Sequence, residues 1–159
     1  TQGITEVDQW MLTADTGSGV NADVTTNLAR ASTLLTGVGH FGTGMTESSG
    51  VFSFPSTGYW RVDCNAQITV VAGDNAFLGI NLSTDGGSTY YIVSQIGVSN
   101  RGSSTASDPD SGNVSVILNV TNTSNLKVKF TTNSFSSGTA LQGSSSTMET
   151  NFIFTKLGA

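Results

Sequence analysis

Residues 50–60, which read Gly50-Val-Phe-Ser-Phe-Pro-Ser-Thr-Gly-Tyr-Trp60, decide the fold of this chain. Phe52 and Phe54 stand two residues apart, so they point to one face of an extended segment. Pro55 lacks a backbone donor and ends the pairing of that segment, and Gly58 accepts backbone angles that other residues avoid. The stretch therefore predicts a corner that joins two strands.

A long strand is predicted directly after this corner. Apolar side chains from Trp60 to Val70 alternate with polar ones, and a period of two indicates a half-buried β-strand. Polar and glycine-rich turns separate further strands, which are predicted at residues 8–14, 50–54, 59–72, 76–83, 89–96, 113–119, 126–132 and 147–157. Because each short strand has an apolar face to cover, we predict an all-β sandwich of about ten short antiparallel strands.

The corner also carries a family pattern. A glycine, an aromatic residue, a proline and a glycine-aromatic pair lead into the central strand, at Gly44, Met45, Gly50, Phe52, Pro55, Gly58 and Tyr59. This pattern resembles the globular heads of the complement q-subunit and tumour necrosis factor superfamily. The run from Ser146 to Phe154 is similar to the closing strand of that family, although Met148 stands where an aromatic residue is usual. The resemblance implies a jelly roll whose first, central and last strands form the sheet nearest a threefold axis.

The composition limits the class of protein. With 159 residues, of which 36% are hydrophobic, residues 1–159 are expected to form one domain with a substantial core. A net charge of -5 and unclustered basic residues argue against nucleic acid as a partner. The longest apolar run, residues 90–93, falls far short of the roughly 20 residues that cross a bilayer, so no membrane insertion is expected. The polar residues 1–8 do not resemble a signal peptide.

Few residues are suited to catalysis or metal binding. His40 is the one histidine and has no acidic neighbour in sequence, so we predict that the protein is not an enzyme. With one cysteine and one histidine, the chain cannot form a zinc site of thiolates and imidazoles by itself. Asp108 and Asp110 share a predicted loop and are candidate calcium ligands, but aspartates in such loops more often bind their own backbone. No cofactor is predicted, and calcium is the alternative.

Four apolar residues stand on the wrong face of their strands. Met11, Tyr59, Ile117 and Ile153 each lie beside apolar residues, whereas a strand with one face in water should alternate. The sequence offers no helices to cover them, so a second copy of the chain is the predicted cover. We therefore expect a homotrimer with these four residues at its interface. Scattered surface hydrophobics, which are common on monomers, are the alternative explanation.

The longest predicted loop, residues 101–112, is the first candidate for recognition. It contains Arg101, Asp108 and Asp110, and binding residues are more frequent on exposed loops than on strands. Such a loop on a trimer would face solvent or a host surface.

Three classes of function compete for this sequence. Low charge and an excess of Thr, Ser, Asn and Gly favour a bacteriophage virion surface protein, either a capsid decoration or a tail-fibre knob. Its partners would be other virion proteins and, on the host surface, a polysaccharide or a protein. The second class is an extracellular recognition head like those of the resembled family. The third is a glycan-binding protein or enzyme that stacks sugars on Trp10, Trp60 or the pair at residues 90–91, although both tryptophans are predicted to face the core.

Overall fold

Two antiparallel β-sheets pack face to face. The computed structural model describes residues 3–102 and 107–159. These residues form a one-turn 3-10 helix, Ala31–Thr33, and the strands β1 (Glu6–Leu12), β2 (Leu28–Arg30), β3 (Thr46–Ser48), β4 (Val51–Ser53), β5 (Gly58–Val70), β6 (Asn75–Ser83), β7 (Tyr91–Ser99), β8 (Asp108–Val120), β9 (Lys127–Asn133), β10 (Ala140–Leu141) and β11 (Asn151–Gly158). The prediction of an all-β antiparallel sandwich is confirmed. Within the described ranges, no helix has the length and apolar character needed to span a bilayer.

The strand order is that of a jelly roll. The first sheet has six strands in the order β2-β1-β11-β5-β8, with β10 paired to β5 beyond the end of β11. The second sheet has five strands in the order β3-β4-β9-β6-β7. Strands that follow one another in sequence often lie in opposite layers. The chain crosses between the sheets from β2 to β3, β4 to β5, β5 to β6, β7 to β8, β8 to β9 and β9 to β10.

The predicted corner at residues 50–60 is the crossing from β4 to β5. Phe52 and Phe54 are both buried, as their shared face predicts. Gly50 has a φ of 81°, and a Cβ there would collide with the carbonyl oxygen of Val24. Gly58 has a φ of 127° and faces the carbonyl oxygen of Gly158, which leaves no room for a side chain. Both glycines are therefore required by the turn of the backbone and by close packing.

Aromatic side chains fill the space between the sheets. Phe130 on β9 stacks on Phe152 of β11 with ring centroids 3.8 Å apart, which joins the two layers directly. Phe52 meets the edge of Trp10 at a centroid distance of 5.3 Å. Trp10 and Trp60 are buried, which confirms that both tryptophans face the core. Each such side chain contributes about 1.5–3 kcal/mol by its burial.

Two aspartates tie the irregular segments to the sheets. Asp8 on β1 is fully buried and accepts hydrogen bonds from Arg30 Nε at 2.8 Å, Trp10 Nε1 at 2.9 Å and the Met45 amide at 2.7 Å. Asp8 thereby holds both ends of the segment between β2 and β3 against β1. These bonds satisfy a carboxylate that would otherwise be costly to bury.

Asp74, in the turn between β5 and β6, holds the segment between β9 and β10. It accepts hydrogen bonds from the Ser136 amide at 3.0 Å, from Ser136 Oγ at 2.8 Å and from Thr139 Oγ1. Burial alone would raise the pKa of Asp74, but the hydrogen bonds from Thr139 and Ser136 outweigh burial and lower it.

Three short strands were not predicted from the sequence. The strands β2, β3 and β10 have two or three residues each, which is too short to show a period of two. Longer neighbours pair with two of them, since β2 pairs with β1 and β10 with β5, while β3 pairs with the equally short β4.

Candidate functional site

The solvent side of the first sheet is the candidate site, and we call it the outer face. Trp60, Val62 and Cys64 lie on the core face of β5 and are fully buried. Tyr59, on the other face of the same strand, is 48% exposed. On β8, Ile117 is 62% exposed and has the largest exposed fraction among the exposed large hydrophobic residues of the described chain. The outer face therefore presents apolar side chains to water.

The strand register brings three of the four predicted interface residues together. Ile117 lies directly opposite Arg61 of β5, and Ile153 of β11 lies opposite Asp63 of β5. Tyr59 is the preceding residue on the same side of β5. Residues that are paired across antiparallel strands share a face, so these side chains form one patch. Ile153 is half-buried, and Tyr59 and Ile117 are exposed.

The fourth predicted interface residue, Met11, is already covered by its own chain. Met11 has no exposed surface and yet does not belong to the main core between the sheets. The 3-10 helix that follows β2 packs against β1, and its Ala31 is likewise fully buried outside that core. The prediction that Met11 needs a second copy to cover it is wrong, because the 3-10 helix of the same chain packs on its strand and Met11 is buried without a partner.

Sequence reasoning also missed two apolar residues of this region. Phe41 is 59% exposed and forms a bridge with Val7 of β1, which in turn lies opposite Thr155 on β11. Phe41 therefore belongs to the outer face, although in sequence it stood in a glycine-flanked segment. Leu157 is 42% exposed beside a bulge at the end of β11. These positions are recognised only in the folded structure, where segments that are distant in sequence pair with one another.

The candidate recognition loop at residues 101–112 is partly a strand. Asp108 and Asp110 lie on β8, opposite Val70 and Ile68 of β5, and not in a loop as predicted. The long partner strand extends β8 through residues that disfavour strands, and Pro109 is tolerated because β8 lies at the edge of its sheet. Arg101, Asp108 and Asp110 are all exposed. Residues 103–106 of this prediction lie outside the described residues.

The predicted recognition residues lie at one end of the first sheet. The start of β1 and the end of β11 lie at the other end. Glu6 at the start of β1 pairs with Lys156 near the end of β11, and Gly158 pairs with Tyr59 at the start of β5. Asp108 pairs with Val70 at the other end of β5. The 13 residues of β5 separate these ends by about 40 Å at roughly 3.3 Å per residue.

A polar depression lies on the outer face between the apolar patch and β10. It has a volume of about 400 Å³ and is lined in part by the amide side chains of Asn65, Gln67, Asn113 and Asn151. Asn65 Nδ2 donates to Asn151 Oδ1 at 2.9 Å. The outer face is thus apolar near the start of β5 and rich in amide side chains further along that strand.

The opposite sheet carries a satisfied polar cluster. The Lys129 ammonium lies 2.8 Å from Asp23 Oδ2 and 4.1 Å from the centroid of the Tyr90 ring. Burial favours a higher pKa for Asp23, but hydrogen bonds from Lys129 and Thr131 outweigh it, so the pKa is lowered. Lys129 covers one face of Tyr90, which is one of the two tyrosines that are candidates for sugar stacking. Its neighbour Tyr91 is 51% exposed.

Catalytic and metal-binding groupings can be assessed over residues 3–102 and 107–159. In those ranges, no three His, Cys, Asp or Glu side chains come together as metal ligands. Calcium binding near Asp108 and Asp110 stays a prediction. His40 is exposed.

Comparison with known proteins identifies the fold. No protein-family model and no curated protein matches the sequence. Among solved structures, Eiger TNF from S. frugiperda is 11% identical with a TM-score of 0.69, covering 99% of this chain and 94% of that chain. Murine APRIL, solved at pH 8.5, is 11% identical with a TM-score of 0.61, covering 96% of this chain and 98% of that chain.

A viral structure shares the fold as well. The vertex protein P5 of the phage PRD1 is 14% identical with a TM-score of 0.50, covering 99% of this chain and 100% of that chain. The chain is therefore a TNF-like jelly roll of a type also found in a phage vertex protein, as the sequence predicted. At these identities the likeness establishes the fold.

Proposed function

We propose that the protein is a non-enzymatic surface protein of a bacteriophage virion, built as a homotrimer through the outer face. The observation that carries this proposal is the exposure of Tyr59, Ile117 and Phe41 on one face of the first sheet. Large apolar residues on one face are costly to leave in water and mark an interaction surface. A second copy fits, because the resembled family places the equivalent sheet next to a threefold axis.

The two ends of the sheet have different roles in this proposal. The end that holds the start of β1 and the end of β11 attaches the trimer to other virion proteins. The end that holds Arg101 and Asp108, about 40 Å away along β5, faces the host and contacts a surface polysaccharide or protein. The likeness to the PRD1 vertex protein supports a position on the virion surface, as a capsid decoration or a fibre knob.

An extracellular recognition head is the second candidate. The likeness to Eiger TNF and APRIL favours it, since both share the fold over nearly the whole chain. The outer face has the same trimer-forming role in this alternative. The two candidates differ in where the protein is found and in what its exposed end binds.

The assembly is tested by sedimentation of purified protein. We expect wild-type protein to sediment as a trimer, and Ile153→Asp to sediment as a folded monomer, because the variant would bury an unpaired charge in the interface. Circular dichroism checks that the variant keeps its sheet structure. A monomeric wild type, or an Ile153→Asp variant that remains trimeric, would contradict the role of this face.

The location is tested by immunogold electron microscopy of phage particles purified from the source of the protein. We expect label on the particle surface, and its position on the capsid or the tail separates a decoration from a fibre knob. Particles without label would remove the virion proposal and leave the recognition head. Retention of the trimer on host-envelope polysaccharide, lost in Asp108→Ala and Asp110→Ala together, would support the host-facing role. No retention of the wild type on host envelope polysaccharide or protein would contradict it.

A further inference from the structure

A charged pair lies within the apolar patch of the outer face. Arg61 Nη2 lies 2.7 Å from Asp63 Oδ1, and Arg61 Nε donates to the same oxygen at 2.8 Å. Ile117 on β8 is paired with Arg61 on the adjacent strand, and Ile153 on β11 is paired with Asp63. Both charges therefore lie within the surface that the proposed trimer covers.

Neither charged group has used its full bonding capacity. Both contacts from Arg61 go to Asp63 Oδ1, and no described residue donates a hydrogen bond to Asp63 Oδ2. A guanidinium has about five N–H donors, so Arg61 keeps donors free as well. The Arg61 side chain is 52% exposed and that of Asp63 is 20% exposed. In the single chain, this exposure leaves the remaining donors and the acceptor open to hydration.

Covering this face would remove that water. A charged group that loses its hydration must gain hydrogen bonds from its new neighbours, or the interface is penalised. The residues paired with Arg61 and Asp63 across the sheet are uncharged: Ile117, Thr155, Ser115 and Ile153. In a second copy of the patch, the groups of complementary charge are again Arg61 and Asp63.

We propose, building on the homotrimer proposed above, that Arg61 of each protomer binds Asp63 of the next, so that the pairs close into an alternating ring around the threefold axis. The free Oδ2 of Asp63 accepts from the neighbouring guanidinium, while Oδ1 keeps the bonds within the chain. A residue meets its own copies only near a symmetry axis, and β5 lies inside the sheet with β11 and β8 on either side. The ring would fix the rotation of the three copies, a role that charged pairs often have at interfaces.

Like-charge variants test the ring. Arg61→Glu makes the positions acidic in every protomer, and Asp63→Lys makes them basic. We expect each variant to weaken trimer association by at least a factor of about one hundred, because like charges facing each other across an interface cost several kcal/mol. The double variant Arg61→Asp with Asp63→Arg restores alternation with unchanged net charge, and it should recover most of the trimer. Circular dichroism verifies that all variants fold.

Mixing the two single variants separates pairing between chains from pairing within a chain. Neither variant can form the pair internally, so trimers that contain both differently tagged chains require contacts between protomers. Mixed trimers from chains that do not trimerise alone would support the ring. In a mixed trimer two of the three interfaces pair opposite charges, whereas none does in a trimer of one variant. Trimeric single variants, or a mixture that associates no more strongly than either variant alone, would overturn the ring while leaving the wild-type trimer intact. A wild type that is itself monomeric would overturn the trimer proposal and the ring with it.

Discussion

Replacing Ile117 by threonine should weaken the proposed trimer without disturbing the fold. Threonine keeps the β-branched shape that suits a strand but brings a hydroxyl group. Burying a whole isoleucine is worth about 1.5–3 kcal/mol, and the 62% of Ile117 that remains exposed is worth roughly 1–2 kcal/mol per protomer when covered. Three protomers lose roughly 3–6 kcal/mol together, which lowers the association constant by about a hundredfold to ten-thousandfold.

Sedimentation velocity over a dilution series measures this loss, and Ile92→Thr is the matched control. Ile92 is 50% exposed on β7, so the same substitution is made at similar exposure on the opposite sheet. We expect the midpoint of dissociation to move for Ile117→Thr and to stay for Ile92→Thr, with similar melting temperatures of the separated chains. Equal midpoints for both variants and the wild type would refute the assignment of the outer face as the interface.

Three further predictions concern buried and hydrogen-bonded groups. Asp74→Ala should lower the free energy of unfolding by about 2–3 kcal/mol in urea, because the buried Thr139 hydroxyl loses its acceptor; an unchanged midpoint would contradict this. Hydrogen bonds from Thr89 lower the pKa of Asp85 to about 2. A carboxyl whose pKa is lowered by folding stabilises the fold at pH values above its unfolded pKa of about 4. Wild-type protein should therefore melt at a higher temperature than Asp85→Asn at neutral pH, and this difference should disappear as the pH falls from about 4 to 2. A difference that does not change with pH would argue against this. Burial raises the pKa of the Cys64 thiol, so iodoacetamide at pH 8 should label it only after unfolding; rapid labelling of folded protein would disprove that.

The jelly-roll corner was predictable because its residues act locally. Phe52, Pro55 and Gly58 impose a shared face, a break in pairing and an unusual backbone angle, and none of these depends on distant parts of the chain. The alternation along β5 was equally clear, since each side chain keeps its face over the whole strand. Local chemistry thus accounts for the class of fold.

The extent of β8 was not predictable, because it depends on its partner. The aspartates and the proline at residues 108–110 favour a loop when taken alone. In the structure, β5 provides a continuous edge, and pairing along that edge outweighs the local preference of Asp108 and Asp110. Strand propensity is a weak guide where a long neighbour offers hydrogen bonds.

The candidate site was predicted in part, and the missing part depends on tertiary packing. Ile117 and Ile153 broke the alternation of their strands and do share the outer face. Met11 broke it in the same way, yet the 3-10 helix packs on its strand and Met11 is buried. Phe41 does not belong to an alternating stretch of sequence, and its bridge to Val7 places it on the outer face. Alternation alone does not distinguish apolar residues that await a partner from those covered within the chain.

The pairing of Glu6 with Lys156 has a consequence for protein engineering. Since the first strand starts beside the point where the last strand finishes, a short peptide could join them and new termini could be opened at the exposed turn around Gly86. Such a circular permutant would keep every strand pair of both sheets. It would also move any fused cargo from the first sheet to the second at the same end of the molecule, which makes the domain a reorientable display scaffold.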